Sequence, residues 1–158
     1  MPWPYQVLTI NRQALVDAIN ASVGKVKYRL GAKPKMSAVP GQPGFRVCDC
    51  SGYVRWMLHQ LGVHCPDGSW YQQDWCKQRG FKSTTYSNAR LSDDRLRLAF
   101  INTAPGKVGH VWFIINGYTI ECYGGHGTGR RPWNANLSGG RRLDTLADAC
   151  YVLTGPLS

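Results

Sequence analysis

No stretch of this sequence stays apolar for the roughly 18 residues that a bilayer-crossing helix requires; the longest apolar runs, such as residues 111–115, stop far short. Membrane insertion is therefore not expected. Acidic residues are scarce: nine Asp and Glu stand against 19 Lys and Arg, for a net charge of +10. That excess favours polyanionic surroundings, whether nucleic acid, an anionic membrane face or the carboxylate- and phosphate-rich bacterial wall. Internal repeats and low-complexity tracts are missing. The N-terminal Met-Pro-Trp-Pro-Tyr has no basic stretch followed by an apolar block, so no secretory signal is visible. The expectation is a protein that works in the cytoplasm or is exported by other machinery. Six cysteines, at 48, 50, 65, 76, 122 and 150, are too few and too irregular for a disulfide scaffold of this length. With His64 they also match none of the usual Cys-x2-Cys zinc spacings, so no metal is expected.

What is present suits one domain spanning residues 1–158. A hydrophobic share of 43% can fill a core, and 18 Gly with 9 Pro imply many turns. Leu15, Ala18, Ile19, Ser22 and Val23 follow helical spacing after Asn11 and stop at Gly24, predicting a helix over 12–23. Residues 25–46 carry repeated Gly and Pro and read as a long loop of the kind that lines sites. A second helix opens at Cys50, with Asp49 in the capping position, Val54, Met57, Leu58 and Leu61 as its apolar stripe, and Gly62 as its stop. Residues 63–95 show no assignable element beyond a short helix or aromatic patch around Trp70, Tyr71 and Trp75. Residues 96–101 read as a strand, 103–107 as the turn after it, and 150–153 as a closing strand. The strongest β signal is the pair of runs 110–115 and 118–123 around Asn116-Gly117, which suits a two-residue type I′ hairpin.

Cys50 is the candidate nucleophile. At a helix start, exposed backbone N–H groups and the positive dipole end favour thiolate over thiol. A thiolate needs a group that carries its proton and later delivers it to the leaving group, which is work for an imidazole. Of His59, His64, His110 and His126, His110 begins the hairpin, where a strand holds the ring. Counting outward from the turn pairs Ile115 with Tyr118, Trp112 with Glu121 and His110 with Tyr123. Glu121 then shares a sheet face with His110 at the diagonal position and can orient the ring.

These motifs, Asp49-Cys50-Ser51-Gly52-Tyr53-Val54 preceded by Tyr28-Arg-Leu-Gly-Ala-Lys33 and followed by Gly109-His110-Val111, resemble those of the NlpC-type cell-wall cysteine peptidases, a papain-like family. The resemblance covers about residues 25–125. It implies an α+β papain-like fold, with N-terminal helices packed on a central antiparallel β-sheet. It also implies Cys50 as nucleophile, His110 as base and substrate contacts from Tyr28, Asp49 and Ser51. The third polar residue of the family is usually His, sometimes Asn or Gln. Here the matching position falls on Glu121, with His126 as the competing candidate. The strand before His110 lacks the family's Gly-Asp opening, and residues 96–101 are read as its replacement. The implied activity is hydrolysis of an amide bond in peptidoglycan stem peptides, commonly after D-glutamate in the family, with no cofactor.

A monomer is expected, acting in the periplasm or wall of a target bacterium after delivery by a phage particle or secretion system. Similarity to stand-alone phage-tail enzymes and type VI secretion amidase effectors suggests that route, and an effector would have a small immunity protein. Two rival readings stand beside this one. A thiol acyltransferase or deamidase would keep Cys50 and His110 on the same scaffold. A basic nucleic-acid binder would rest on charge alone and give Cys50 no role, so no nucleic-acid partner is expected.

The remaining features have plainer readings. The Gly124–Gly129 run lacks the Gly-Lys-Ser/Thr ending of a phosphate loop and reads as a flexible wall beside the cleft. Arg130, Arg131, Arg141 and Arg142 read as solvated surface charge, and His59 as solvated. Cys122 with Cys150, or Cys65 with Cys76, could bridge under oxidising conditions, whereas Cys48 with Cys50 could not.

Overall fold

A computed structural model describes residues 4–101, 104 and 109–157. Apart from Ala104, the turn expected at 103–107 lies outside the described residues. Helix α1 spans Arg12–Ser22, with the Asn11 side chain accepting from the Ala14 N–H. Val23 already has extended backbone, so the helix ends one residue earlier than its apolar spacing suggests. Helix α2, Cys50–Gln60, is capped by Asp49, whose Oδ1 accepts from the Gly52 N–H at 2.8 Å. Its other end closes on Gly62, at φ +79°, with Gly62 N–H donating to His59 O and Val63 N–H to Leu58 O. That left-handed stop favours glycine.

Eight of the eleven α2 residues are buried, Cys50 through Val54 and Trp56 through Leu58. A helix covered on nearly all sides belongs inside the molecule rather than on its surface. α1 packs on one side of it, where Ser22 Oγ and Tyr53 Oη lie 2.6 Å apart. The sheet covers the other side.

The long segment 25–46 is not loop throughout. Lys27–Tyr28 (β1) pairs in parallel with Val47–Cys48 (β2), which feeds directly into α2. Within 63–95, helix α3, Ser69–Arg79, lies where Trp70, Tyr71 and Trp75 suggest a short helix, and strand β3, Lys82–Thr84, follows it without a sequence signal of its own. α3 buries only Gln72 and Cys76, so it has no apolar stripe for periodicity to detect.

Strands β4 (Arg97–Ile101), β5 (His110–Ile115), β6 (Tyr118–Tyr123), β7 (Gly127–Gly129) and β8 (Ala149–Val152) complete an antiparallel sheet in the order β3-β8-β4-β5-β6-β7. The fold is α+β, as expected, with helices on a central antiparallel sheet. The β5–β6 turn places Asn116 at φ +52° and Gly117 at φ +78°, and Ile115 pairs with Tyr118, Ile114 with Thr119 and Phe113 with Ile120. This is the I′ geometry that matches the right-handed twist of the strands.

Both faces of the sheet are covered. Leu98, Phe100, Val111 and Phe113 join the α2 core, while Ala99, Trp112, Ile114 and Cys150 pack with Tyr86, Ala89 and Leu143, the last on short helix α4, Leu143–Leu146.

Two expectations need correction. The last strand, expected over 150–153, is β8, and it runs between β3 and β4. Cys150 therefore sits three strand spacings from Cys122, about 14 Å, on the opposite face, so those two cannot bridge. The second half of the glycine run is not flexible wall either: Gly127–Gly129 form the edge strand β7, and the Thr128 N–H donates to Val26 O at 3.0 Å, tying the sheet to the segment before β1, while Gly124 and Gly125 do border clefts beside His110 and Tyr28.

Candidate active site

Cys50 is the first residue of α2, where the backbone donors of the opening turn have no partner inside the helix. Its sulfur lies 3.7 Å from Gly109 O, on the residue before His110. It borders a pocket of about 250 Å³ that also includes Gly31, Lys33, Asp49 and Ser69. His110, at the start of β5, stands over Trp112 with ring centroids 5.1 Å apart and planes 21° from parallel. Its Nε2 is 2.7 Å from Glu121 Oε1. With Nε2 so engaged, Nδ1 is the ring nitrogen available to Cys50.

Burial opposes protonation of His110, but hydrogen bonds with Cys50 and Glu121 and the charges on both outweigh it, raising its pKa from 6.5 to about 9. Glu121 is fully buried on β6. Burial alone would raise its pKa, yet His110 and Arg131 hold it below the usual 4.5.

Arg131 is the residue that sequence reasoning misplaced. It is not solvated: its Nε and one terminal nitrogen donate to the two Glu121 oxygens at 2.9 Å each, and its side chain is 16% exposed. Its guanidinium also lies 3.9 Å from the Tyr123 ring centroid. Arg142 pairs with Asp144 but remains exposed, as expected of surface charge. His126, the rival to Glu121, instead stacks flat on Tyr123 at 4.7 Å. The structure thus brings together Cys50, His110 and Glu121, with Arg131 behind them, and leaves His126 outside.

The three residues assigned to substrate contact divide. Tyr28, half-buried on β1, borders a pocket of about 260 Å³ with Lys27 and His126. Its pKa is raised by burial, and then by the nearby Cys50 and Asp49. Asp49 and Ser51 are buried, and both contact Lys33. Lys33 Nζ donates to Asp49 Oδ2 at 2.6 Å and to Ser51 Oγ at 2.9 Å, and it lies 3.2 Å from Asp67 Oδ1. Asp49 Oδ2 also accepts from the Gly31 N–H at 3.2 Å. Lys33 closes the Tyr28–Lys33 motif, but nothing in its spacing marks it as a partner of the cap. A third pocket, about 420 Å³, is bordered by His110 with Tyr123, Arg131, Asn136, Ser138 and Arg141.

No protein-family model matches the chain, and no curated protein does. Solved structures do share its fold. A Staphylococcus aureus protein described as similar to lipoprotein, of the NLP/P60 family, aligns with a TM-score of 0.58 at 14% identity, over 98% of this chain and 46% of its own. The P60 domain of a Mycobacterium avium subspecies paratuberculosis antigen gives 0.52 at 21% identity, over 90% and 95%. The peptidoglycan hydrolase RipB of Mycobacterium tuberculosis gives 0.52 at 24% identity, over 81% and 61%. This chain spans under half of the first of these and nearly all of the second. The papain-like fold seen in NlpC/P60 proteins is therefore the fold of this chain.

Proposed function

We propose that this chain is a cysteine peptidase of the bacterial cell wall, hydrolysing an amide bond in peptidoglycan stem peptides. The observation that carries the reading is the alignment of Cys50, at a helix N-terminus, with a His110 whose far nitrogen is anchored by a buried, ionised Glu121. The substrate class is supported by the shared fold with RipB, a peptidoglycan hydrolase, and by the +10 charge, which suits an anionic wall.

In this reading the Cys50 sulfur attacks the carbonyl carbon, with its proton held on His110 Nδ1. The oxyanion that forms lies within reach of first-turn N–H groups, where preorganised donors stabilise developing charge. His110 gives its proton to the departing amine, leaving a thioester on Cys50. A water then loses its proton to His110 and attacks the thioester; the carboxylic acid leaves and Cys50 recovers its proton. Glu121 stays ionised throughout, holding the ring and balancing the imidazolium. Arg131 neutralises Glu121 in the half-cycle when His110 is uncharged.

Purified peptidoglycan digested with wild type and with Cys50→Ala, with products weighed by mass spectrometry, tests this. Fragments from the wild type alone are expected, and their masses name the bond. If both proteins are folded and neither releases fragments, the wall substrate is wrong, and acyl donors and protein targets become the assay.

A further inference from the structure

The Cys48 and Cys122 sulfurs lie 3.2 Å apart, and neither residue is exposed. That is closer than two sulfurs rest in ordinary packing contact, and a small side-chain movement would bring them to the roughly 2.05 Å of a bond. Cys48 is the last residue of β2, two before the nucleophile; Cys122 follows Glu121 on β6. The pair spans 74 residues of chain and joins two elements that the main-chain hydrogen bonds do not pair, since β2 pairs with β1 and β6 with β5 and β7.

The geometry points to a disulfide between Cys48 and Cys122, formed as the chain folds in an oxidising compartment, that fixes the strand leading into Cys50 against the strand carrying Glu121. Two thiols and one low-molecular-weight disulfide yield the Cys48–Cys122 bond and two free thiols, so the external disulfide is reduced as the pair is oxidised. Folding is the time for it. In the finished fold Cys122 and burial hold Cys48 in its thiol form, well above the ordinary range, and thiolate is the species that exchanges. Cys50 is directed elsewhere, toward Gly109, and stays free to react. Closing so long a loop removes much of the freedom of the unfolded chain.

The bond itself is independent of the proposed activity, and the experiment keeps the two apart by using a chain without the nucleophile. Cys50→Ala is unfolded, then refolded in oxidised and reduced glutathione, and free thiols are alkylated under denaturing conditions. Tryptic peptides are then mapped. The expected result is a protein lighter by two hydrogens, with residues 47–55 linked to residues 108–130, which in this variant join only through Cys48 and Cys122. Its urea midpoint should exceed that of the reduced form, and the gain should vanish on adding Cys122→Ala. Alkylated Cys48 and Cys122, a link from 108–130 to any other peptide, or equal midpoints would overturn the proposal. If Cys50→Ala does not fold, the wild type is treated alike and fragmentation within 47–55 assigns the bonded sulfur; attachment at Cys50 also overturns it.

Discussion

Arg131 holds Glu121 in a two-pronged grip, Nε to Oε2 and a terminal nitrogen to Oε1, both at 2.9 Å, while the same Oε1 meets His110 Nε2 at 2.7 Å. A carboxylate with no solvent exposure can stay ionised here because two cationic partners replace water. Glu121 in this position is therefore intelligible only together with Arg131.

Arg131→Met should destabilise the fold by about 3 kcal/mol, the usual scale for removing one partner of a buried ion pair. Arg131→Lys, which keeps the charge but loses the fork, should cost less. Urea midpoints measure this, and the acid limb of kcat/KM should move upward in Arg131→Met as Glu121 becomes easier to protonate. An unchanged midpoint would return Arg131 to the class of solvated charges.

The two titrating partners give stability a defined pH window. His110 has a folded pKa of about 9 against 6.5, so its contribution is complete below 6.5 and fades as pH rises through 9. Glu121 is held below 4.5, so its contribution is present above 4.5 and is lost as pH falls. Unfolding midpoints followed from pH 4 to 10 should decline at both ends. Glu121→Gln should reduce the alkaline decline, because His110 then keeps Cys50 but loses the Glu121 charge, one of the two partners that raise it. An alkaline decline identical to wild type would show that His110 draws its shift from elsewhere.

Glu121→Gln should also lower kcat by a factor on the order of 10² to 10⁴, the scale seen when a buried acid orienting a catalytic imidazole is neutralised. His126→Ala should leave kcat unchanged, since that ring touches Tyr123 rather than His110. The reverse pattern in a peptidoglycan assay would transfer the third role to His126.

Local rules carried the sequence reading a long way. Asn11 and Asp49 announced their helices, and Asn116-Gly117 fixed the register that placed Glu121 beside His110. What escaped was tertiary. α3 is polar on most of its surface, so no stripe betrays it. Arg131 lies ten residues from Glu121 across the β6–β7 turn, and the pairing of Glu121 with Gly129 and of Thr119 with Arg131 brings it near. The contact between Cys48 and Cys122 depends on where α2 docks, which no local spacing encodes. Lys33 became visible only when segment 25–46 folded over the helix start.

Asp49 is both cap and ion-pair partner, and two substitutions separate these roles. Asp49→Asn keeps an oxygen that can accept from Gly52 but loses the attraction for Lys33, whereas Asp49→Ala loses both. The alanine variant should lose about 1–2 kcal/mol more than the asparagine one, the scale of a lost N-cap. Thermal or chaotrope unfolding reads the difference. Equal losses would mean that the carboxylate's charge, rather than its capping bond, holds the helix start.

Gly127 shows how closely β7 approaches the chain entering β1. A Cβ there would lie 2.0 Å from Val26 O and 3.0 Å from Lys27 Cα, at φ +95°. Both obstacles are backbone, so β7 and β1 would have to separate, breaking the bond from Thr128 N–H to Val26 O. Gly127→Ala should therefore cost about 3 kcal/mol or more, combining overpacking with left-handed strain. Gly125→Ala is the control: it has a similar backbone, at φ +77°, with nothing within 4 Å of its Cβ, and should cost about 1 kcal/mol from strain alone. Because β1 carries Tyr28 at the cleft, any folded Gly127→Ala protein should show its main defect in KM. If the two alanine variants unfold at the same denaturant concentration, the close approach of β7 to the Val26–Lys27 backbone contributes nothing to stability.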